Sequence, residues 1–242
     1  SQLEEQHMAS KGDEKIEAKD QEISAISDAI DDHHWQTQES FGNVYIKPSE
    51  IAHECLRKQF FGFRWVSPFS PRDGRIVRIL RRGNREEDRI VEDLQNTGLN
   101  VSSKTKNGRQ WQITGAFGHM KGYIDGGVSD PTGKILSLGW RLLEVKALKA
   151  DRWRAVVRHG LKKAEPQYYG QVQISLRLQG FKEALFSMRN KDTEQDKFLL
   201  IPHDEQESER LVQRAEYLAK CQEAPIRLSI DPNWFLCRIC EH

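Results

Sequence analysis

The sequence predicts an α/β protein with a mixed central β-sheet flanked by helices, and three observations carry that expectation. Residues 75–98 hold apolar side chains at helical spacing. Several short apolar or β-branched runs, punctuated by glycines, follow between residues 101 and 148. From residue 167 onward, helical patterns alternate with strand-like ones. The order helix, strands, helix, strands, helix suits a mixed sheet with helices packed on it.

Residues 1–10 contain His7-Met8-Ala9-Ser10, have the character of an expression remnant before a start methionine, and stand outside the fold. Residues 11–40 are charged and helix-prone, with Ile16, Ile23, Ile26 and Ile30 near helical spacing, and read as a peripheral helix in an acidic leader over 11–47. The main domain is expected over 48–242. Its first helix starts at Pro48-Ser49-Glu50 with Ser49 as N-cap, runs through Cys55 towards Trp65, and is broken by the two prolines and one glycine of residues 65–74.

Residues 75–98 form a long amphipathic helix with Ile76, Ile79, Leu80, Gly83, Ile90, Val91 and Leu94 on one stripe. Glu87, eleven residues after Ile76, falls on that same stripe at 3.6 residues per turn. A carboxylate there needs a partner, or a helix kinked at Gly83 that lets it reach water. Strands are expected at 101–106 and 110–114 around an Asn107-Gly108 turn, at 119–125, and at 135–148 with an interruption at Gly139. A helix over 167–178, strands at 184–189 and 198–201, and a helix over 205–221 complete the fold.

The formal net charge is +1, but its distribution is uneven. Residues 1–40 carry eleven Asp/Glu against three Lys/Arg, a net of −8, which leaves +9 on residues 41–242. A basic body suits a polyanionic partner. No apolar run approaches the roughly 18 residues of a membrane helix, no secretory signal opens the sequence, and a cytoplasmic protein without membrane contact is expected.

The chemistry concentrates in Leu142-Leu143-Glu144-Val145-Lys146. In a strand, Glu144 and Lys146 share one face while Leu143 and Val145 enter the opposite layer; the acid and the ammonium can simply pair. Upstream, Asp125 ends a strand against Gly126-Gly127. Nineteen residues separate it from Glu144, a span that a hairpin can fold back on itself. Two carboxylates side by side repel unless a cation lies between them, and Mg²⁺ favours such oxygen ligands together with a substrate phosphate. Lys146 would then position the attacking water or offset developing charge. After this strand, Lys149, Arg152, Arg154, Arg158, Lys162 and Lys163 surround Trp153, opposed only by Asp151. This segment is either a DNA grip, with Lys149, Arg152, Arg154 and Arg158 on phosphates and Trp153 on a base, or an ordinary solvated face. Seven arginines between Arg72 and Arg89 extend the basic character.

Asp125 followed by Glu144-Val145-Lys146 resembles the D…E-x-K signature of the PD-(D/E)XK nuclease superfamily. Gly83-Asn84-Arg85-Glu86-Glu87 resembles the helical motif G-x-x-x-H/E of its RecB-like branch, with Glu87 at the acidic position. Pro166 to Gln173 resembles the later motif Q-x-x-x-Y: Gln171 takes the glutamine, and Ser175 stands where tyrosine is usual. The resemblance spans residues 49–242. It implies a restriction-endonuclease-like core and a Mg²⁺- or Mn²⁺-dependent deoxyribonuclease, an exonuclease of phage or bacterial recombination or repair. The catalytic set it implies is Glu87, Asp125, Glu144, Lys146 and Gln171, and the metal set is Glu87, Asp125, Glu144 and Val145. DNA is the implied partner, with a recombinase or annealing protein as a second partner and an oligomer as an assembly. The alternative is a DNA-binding or assembly protein that keeps the fold without catalysis.

Cys237-Arg238-Ile239-Cys240 has C-x-x-C spacing, and Cys55 precedes it by most of the domain. These cysteines resemble the iron–sulfur subgroup of that superfamily, which uses one early and three late cysteines. Only two late ones are evident, Cys221 being poorly spaced, so the ligand set for a [4Fe–4S] cluster is incomplete. A zinc site from Cys55, Cys237, Cys240 and His242, or free thiols, fit the same residues.

Overall fold

A computed structural model describes residues 23–37, 45–64, 72–238 and 240. Residues 1–10, Ile16, the segment 65–71 and His242 lie outside the described residues. The chain divides into two units, residues 1–41 with 69–82, and residues 42–68 with 83–242.

In the smaller unit, α1 (residues 23–36) carries Asp31, which pairs with Arg78 at 2.6 Å. His34 lies 2.9 Å from the Arg81 guanidinium. Arg78 and Arg81 belong to the opening turns of α4 (Gly74–Asn96). Ile76, Ile79 and Leu80 are exposed, as are Ile23, Ile26 and Ile30. The apolar stripe expected along the whole of this helix is therefore buried only in its second half, at Ile90 and Leu94.

The larger unit opens with two short helices, α2 (Pro48–Ile51) and α3 (Leu56–Phe63), where one helix was expected. Lys47 is the N-cap, with Pro48 at the first helical position, where its missing N–H costs nothing. Ser49 therefore lies inside the first turn. The break has a local cause. The Gln59 amide donates to the Glu50 and His53 carbonyls, and His53 Nδ1 accepts from Cys55 N at 3.0 Å, so Cys55 caps α3 instead of lying within a helix.

Among the described residues seven strands follow: β1 (Asn100–Ser102), β2 (Trp111–Gly115), β3 (Met120–Ile124), β4 (Gly126–Ser129), β5 (Trp140–Leu148), β6 (Glu183–Asn190) and β7 (Asp196–Pro202). The main sheet has the order β1-β4-β5-β6-β7; β5 and β6 run parallel and the other pairs antiparallel. β2 and β3 form a separate antiparallel pair. The parallel step requires a crossover, supplied by α5 (Ala150–His159), α6 (Leu161–Ala164) and α7 (Pro166–Gln179). α8 (Glu205–Lys220), N-capped by Asp204 through the Glu207 N–H, and α9 (Phe235–Arg238) close the chain. The expected mixed sheet flanked by helices is the observed architecture.

Helices cover both faces of the sheet. Leu143 and Val145 of β5 and Leu185 of β6 pack with Ile90 and Leu94 of α4. Leu142, Phe186 and Met188 pack on the other face with α7 and α8 through Val172, Ile174, Leu176 and Leu211. Phe186 is fully buried, and truncating such a side chain to alanine costs about 3–5 kcal/mol. Gly170 of α7 sits so near Ala52 that a Cβ would collide with it, so glycine sets how closely α7 approaches α2.

Candidate active site

The residues singled out in β5 lie near its C-terminal end, beside the parallel strand β6, the edge of an α/β sheet where ligands usually bind. Alternation along β5 sends Glu144 towards α7 and Val145 towards α4. Asp125 occupies the single-residue break between β3 and β4. The β4–β5 ladder ends at Gly126↔Leu143, leaving the Val145 N–H without a strand partner there, and Asp125 Oδ2 accepts it at 2.7 Å. Gly126 makes that break possible: its φ is 149°, and the Ser102–Ser103 backbone lies where a side chain would go.

Lys146 Nζ stands among three carboxylates: 2.7 Å from Glu144 Oε1, 3.7 Å from Asp125 Oδ2 and 3.7 Å from Glu87 Oε1. It also donates to the Val145 carbonyl at 2.8 Å. Gln171 Nε2 of α7 donates to Glu144 Oε1 at 2.7 Å. Glu144 Oε2 is buried and has no hydrogen-bond partner. Glu87 is half-buried and reaches Lys146 from α4, while its neighbour Glu86 pairs with Arg89 at 3.2 Å. The structure thus brings together Glu87, Asp125, Glu144, Val145, Lys146 and Gln171.

Burial raises the Glu144 carboxyl to about 7; the Lys146 charge opposes that rise and Asp125 adds to it. Burial likewise raises Glu87, again with Lys146 opposing and Asp125 reinforcing. Burial disfavours the Lys146 ammonium, but Glu144, Asp125 and Glu87 outweigh it, and the net shift is upward. Lys146 is the ammonium placed among all three carboxylates, and Lys191 adds a second positive charge that acts on Glu87.

These oxygens suit a divalent cation by chemistry and by the orphaned Glu144 Oε2. As arranged, however, no group of three or more His, Cys, Asp or Glu among the described residues is gathered closely enough to hold a metal, because the Lys146 ammonium fills the centre. A groove of about 390 Å³ between Trp140, Arg141, Phe181 and Lys182 lies at the opposite end of β5 and contains none of these groups.

The basic segment after β5 is helical, α5, and only part of it is free. Arg152 forms a two-pronged ion pair with Glu165, with Nε–Oε1 at 2.6 Å, and lies 5.0 Å from the Tyr168 ring centroid. Arg154 pairs with Asp151. Trp153 packs partly against the core with its Nε1 buried, which removes it from base stacking in this arrangement. Lys149 and Arg158 are exposed. Ser175, which stands where the Q-x-x-x-Y motif usually has tyrosine, is fully buried.

Sequence reasoning passed over Tyr168, whose ring centroid is 5.8 Å from Lys146 Nζ. It lies three residues before Gln171, and that helical spacing places both on one face of α7. Cys55, Cys221, Cys237 and Cys240 are all free thiols, and no cysteine-containing metal group forms among the described residues.

No family model matches the sequence, and no curated protein matches it. Among solved structures, the chain is similar to an alkaline exonuclease from Laribacter hongkongensis: TM-score 0.50, 15% identity, 73% of this chain and 87% of that one covered. The same enzyme in complex with dAMP gives a TM-score of 0.49 at 15% identity, over 72% of this chain and 85% of that one. A phage-related exonuclease from Haemophilus somnus 129PT gives 0.48 at 12% identity, over 72% and 93%. The likeness to the first of these shows a shared α/β fold.

Proposed function

We propose that the chain is a divalent-metal-dependent nuclease that hydrolyses phosphodiester bonds of DNA, acting from strand ends, with Asp125, Glu144 and Lys146 at its centre. The observation that carries this reading is the Lys146 ammonium set among Glu87, Asp125 and Glu144, with one Glu144 oxygen buried and unpartnered. The fold shared with the Laribacter alkaline exonuclease supports it. The D…E-x-K spacing supports it independently.

Glu144, Asp125, Glu87 and the main chain at Val145 would hold the cation, Mg²⁺ or Mn²⁺. Bound there, it would supply Lewis-acid polarisation of the scissile phosphate. The chain's own groups supply the rest. Asp125 is fixed by the Val145 N–H, and Gln171 fixes Glu144. Lys146 would donate to the attacking water or to the charge that grows on phosphate oxygen.

One observation favours a second reading, a DNA-binding protein that keeps the fold without catalysis: the Lys146 ammonium already stands among the carboxylates, and no metal group is preformed among the described residues. End-labelled linear duplex and closed circular DNA, each incubated with Mg²⁺, Mn²⁺ or EDTA, separate the two. The nuclease reading expects metal-dependent loss of the linear form, abolished in Asp125→Ala and Lys146→Ala. DNA binding without digestion of any form supports the second reading, and variants that digest as fast as wild type overturn the site.

A further inference from the structure

We propose that the outer face of the β2–β3 pair, together with the turn between β1 and β2, is a track for single-stranded DNA that delivers a strand to Asp125. The proposal rests on the nuclease reading only for what happens at the end of that track.

Charge comes first. No Asp or Glu occurs between Asp93 and Asp125, whereas Lys104, Lys106, Arg109 and Lys121 all do. Lys104, Lys106 and Arg109 are exposed, and none is held in an ion pair among the described residues. This is a continuous cationic stretch in a chain of otherwise mixed charge, the kind of surface that gains affinity by releasing phosphate counterions.

The strand register supplies the second observation. Ile113, Met120 and Ile124 are buried on the inner face. The outer face therefore carries the cross-strand pairs Gln112↔Tyr123 and Thr114↔Lys121. Tyr123 is 59% exposed, so its ring face is open to a stacking partner. Lys121 Nζ donates to the Tyr45 hydroxyl at 2.8 Å and lies 4.1 Å from the centre of that ring, which sets a second exposed aromatic beside it.

Direction is the third. By strand alternation Lys121 and Tyr123 share the outer face of β3, and Tyr123 stands two residues before Asp125, a span of roughly 7 Å of extended backbone. An aromatic face stacks on a base only when that base is unstacked from its neighbours, so the occupant is a single strand and not a duplex. The opposing basic segment on α5 is less suited, because Arg152 and Arg154 are already paired and Trp153 is packed.

Fluorescence anisotropy of a labelled oligo-dT strand, titrated with the full chain in EDTA to prevent digestion, tests the track. Tyr123→Ala is expected to weaken binding about tenfold, and Tyr123→Phe to retain it. Replacing Lys104, Lys106 and Arg109 together with Gln should lower the salt slope of log K by about two. Binding of Tyr123→Ala within twofold of wild type overturns the proposal, as does a preference for duplex or loss of binding only in Arg158→Gln. Digestion that persists with no dependence on Tyr123 would sink the track and leave the enzyme; strand binding that depends on Tyr123 without any digestion would do the reverse.

Discussion

Gln171 Nε2 and Lys146 Nζ both donate to the same oxygen, Glu144 Oε1, each at 2.7 Å. The Gln171 amide is neutral and keeps its place when the charge around Glu144 changes, whereas the ammonium is a competitor for any cation. Gln171→Ala should therefore leave the fold intact and misplace Glu144. Hydrogen bonds to charged groups contribute about 1.5–3 kcal/mol, so we expect kcat for DNA digestion to fall about tenfold or more. KM should change little, and the Mg²⁺ concentration needed for half-maximal rate should rise. An unchanged kcat with an unchanged Mg²⁺ requirement removes Gln171 from the site.

Lys146→Met should separate the two roles of the ammonium. In EDTA it removes the ammonium placed among the three carboxylates, and breaking such a buried pair costs about 3–5 kcal/mol, so Tm should drop. Mn²⁺ should then raise Tm by more than it does in wild type, since nothing competes for the oxygens. Digestion should fall about a hundredfold or more from the lost stabilisation of phosphate charge. A variant whose Tm ignores Mn²⁺ would count against a cation site at these carboxylates.

The grouping of residues at this candidate site was legible because it depends on short-range rules. Period-two alternation in β5 sets Glu144 apart from Leu143 and Val145, and a stripe at 3.6 residues per turn singles out Glu87 over Glu86 and Asp88. Elements settled by tertiary context were harder to read. β4 (Gly126–Ser129) is buried along its length, so it has no alternation to betray it, and its two glycines read as a strand end. The segment expected as strand before Gly139 is instead a turn, organised by Asp130, whose carboxylate accepts the Thr132, Ile135 and Leu136 N–H groups. The split between α2 and α3 depends on the Gln59 side chain turning back to carbonyls six and nine residues away, which propensity cannot register. Tyr168 is not marked by the Q-x-x-x-Y pattern, which places its aromatic after Gln171, at Ser175, and not before it.

The pH dependence of stability should carry the signature of Glu144. Burial raises its folded carboxyl to about 7 from an ordinary value of 4.5. The folded state then binds more protons than the unfolded chain between those values, so this stabilising contribution is complete below about 4.5 and is lost as pH rises through about 7. Glu87 shifts the same way. In EDTA, Tm should therefore decline from pH 5 to pH 8, and Glu144→Gln should flatten the decline. With Mg²⁺ the ionised form is the one that binds, so digestion should increase across the same interval. A wild-type profile that is flat in EDTA, or one that Glu144→Gln leaves unaltered, contradicts the assignment.

Arg152 was the sequence's natural choice for a DNA contact, and its pairing argues for a structural role. Its guanidinium engages both oxygens of Glu165, a nearly buried carboxylate beside the start of α7, and lies against Tyr168. The pair thereby ties α5 to the helix that carries Gln171. The Arg152 side chain is half exposed, so solvent screening limits the pair to about 1 kcal/mol, a Tm loss of roughly 2–4 °C for a domain of this size. Arg152→Ala should show that loss while binding a labelled DNA strand in EDTA with an affinity within twofold of wild type and an unaltered salt slope. Glu165→Gln should reproduce the Tm loss, because it breaks the same contact from the other side. A salt slope that falls by about one in Arg152→Ala, with Tm unmoved, would restore Arg152 to the DNA-binding surface.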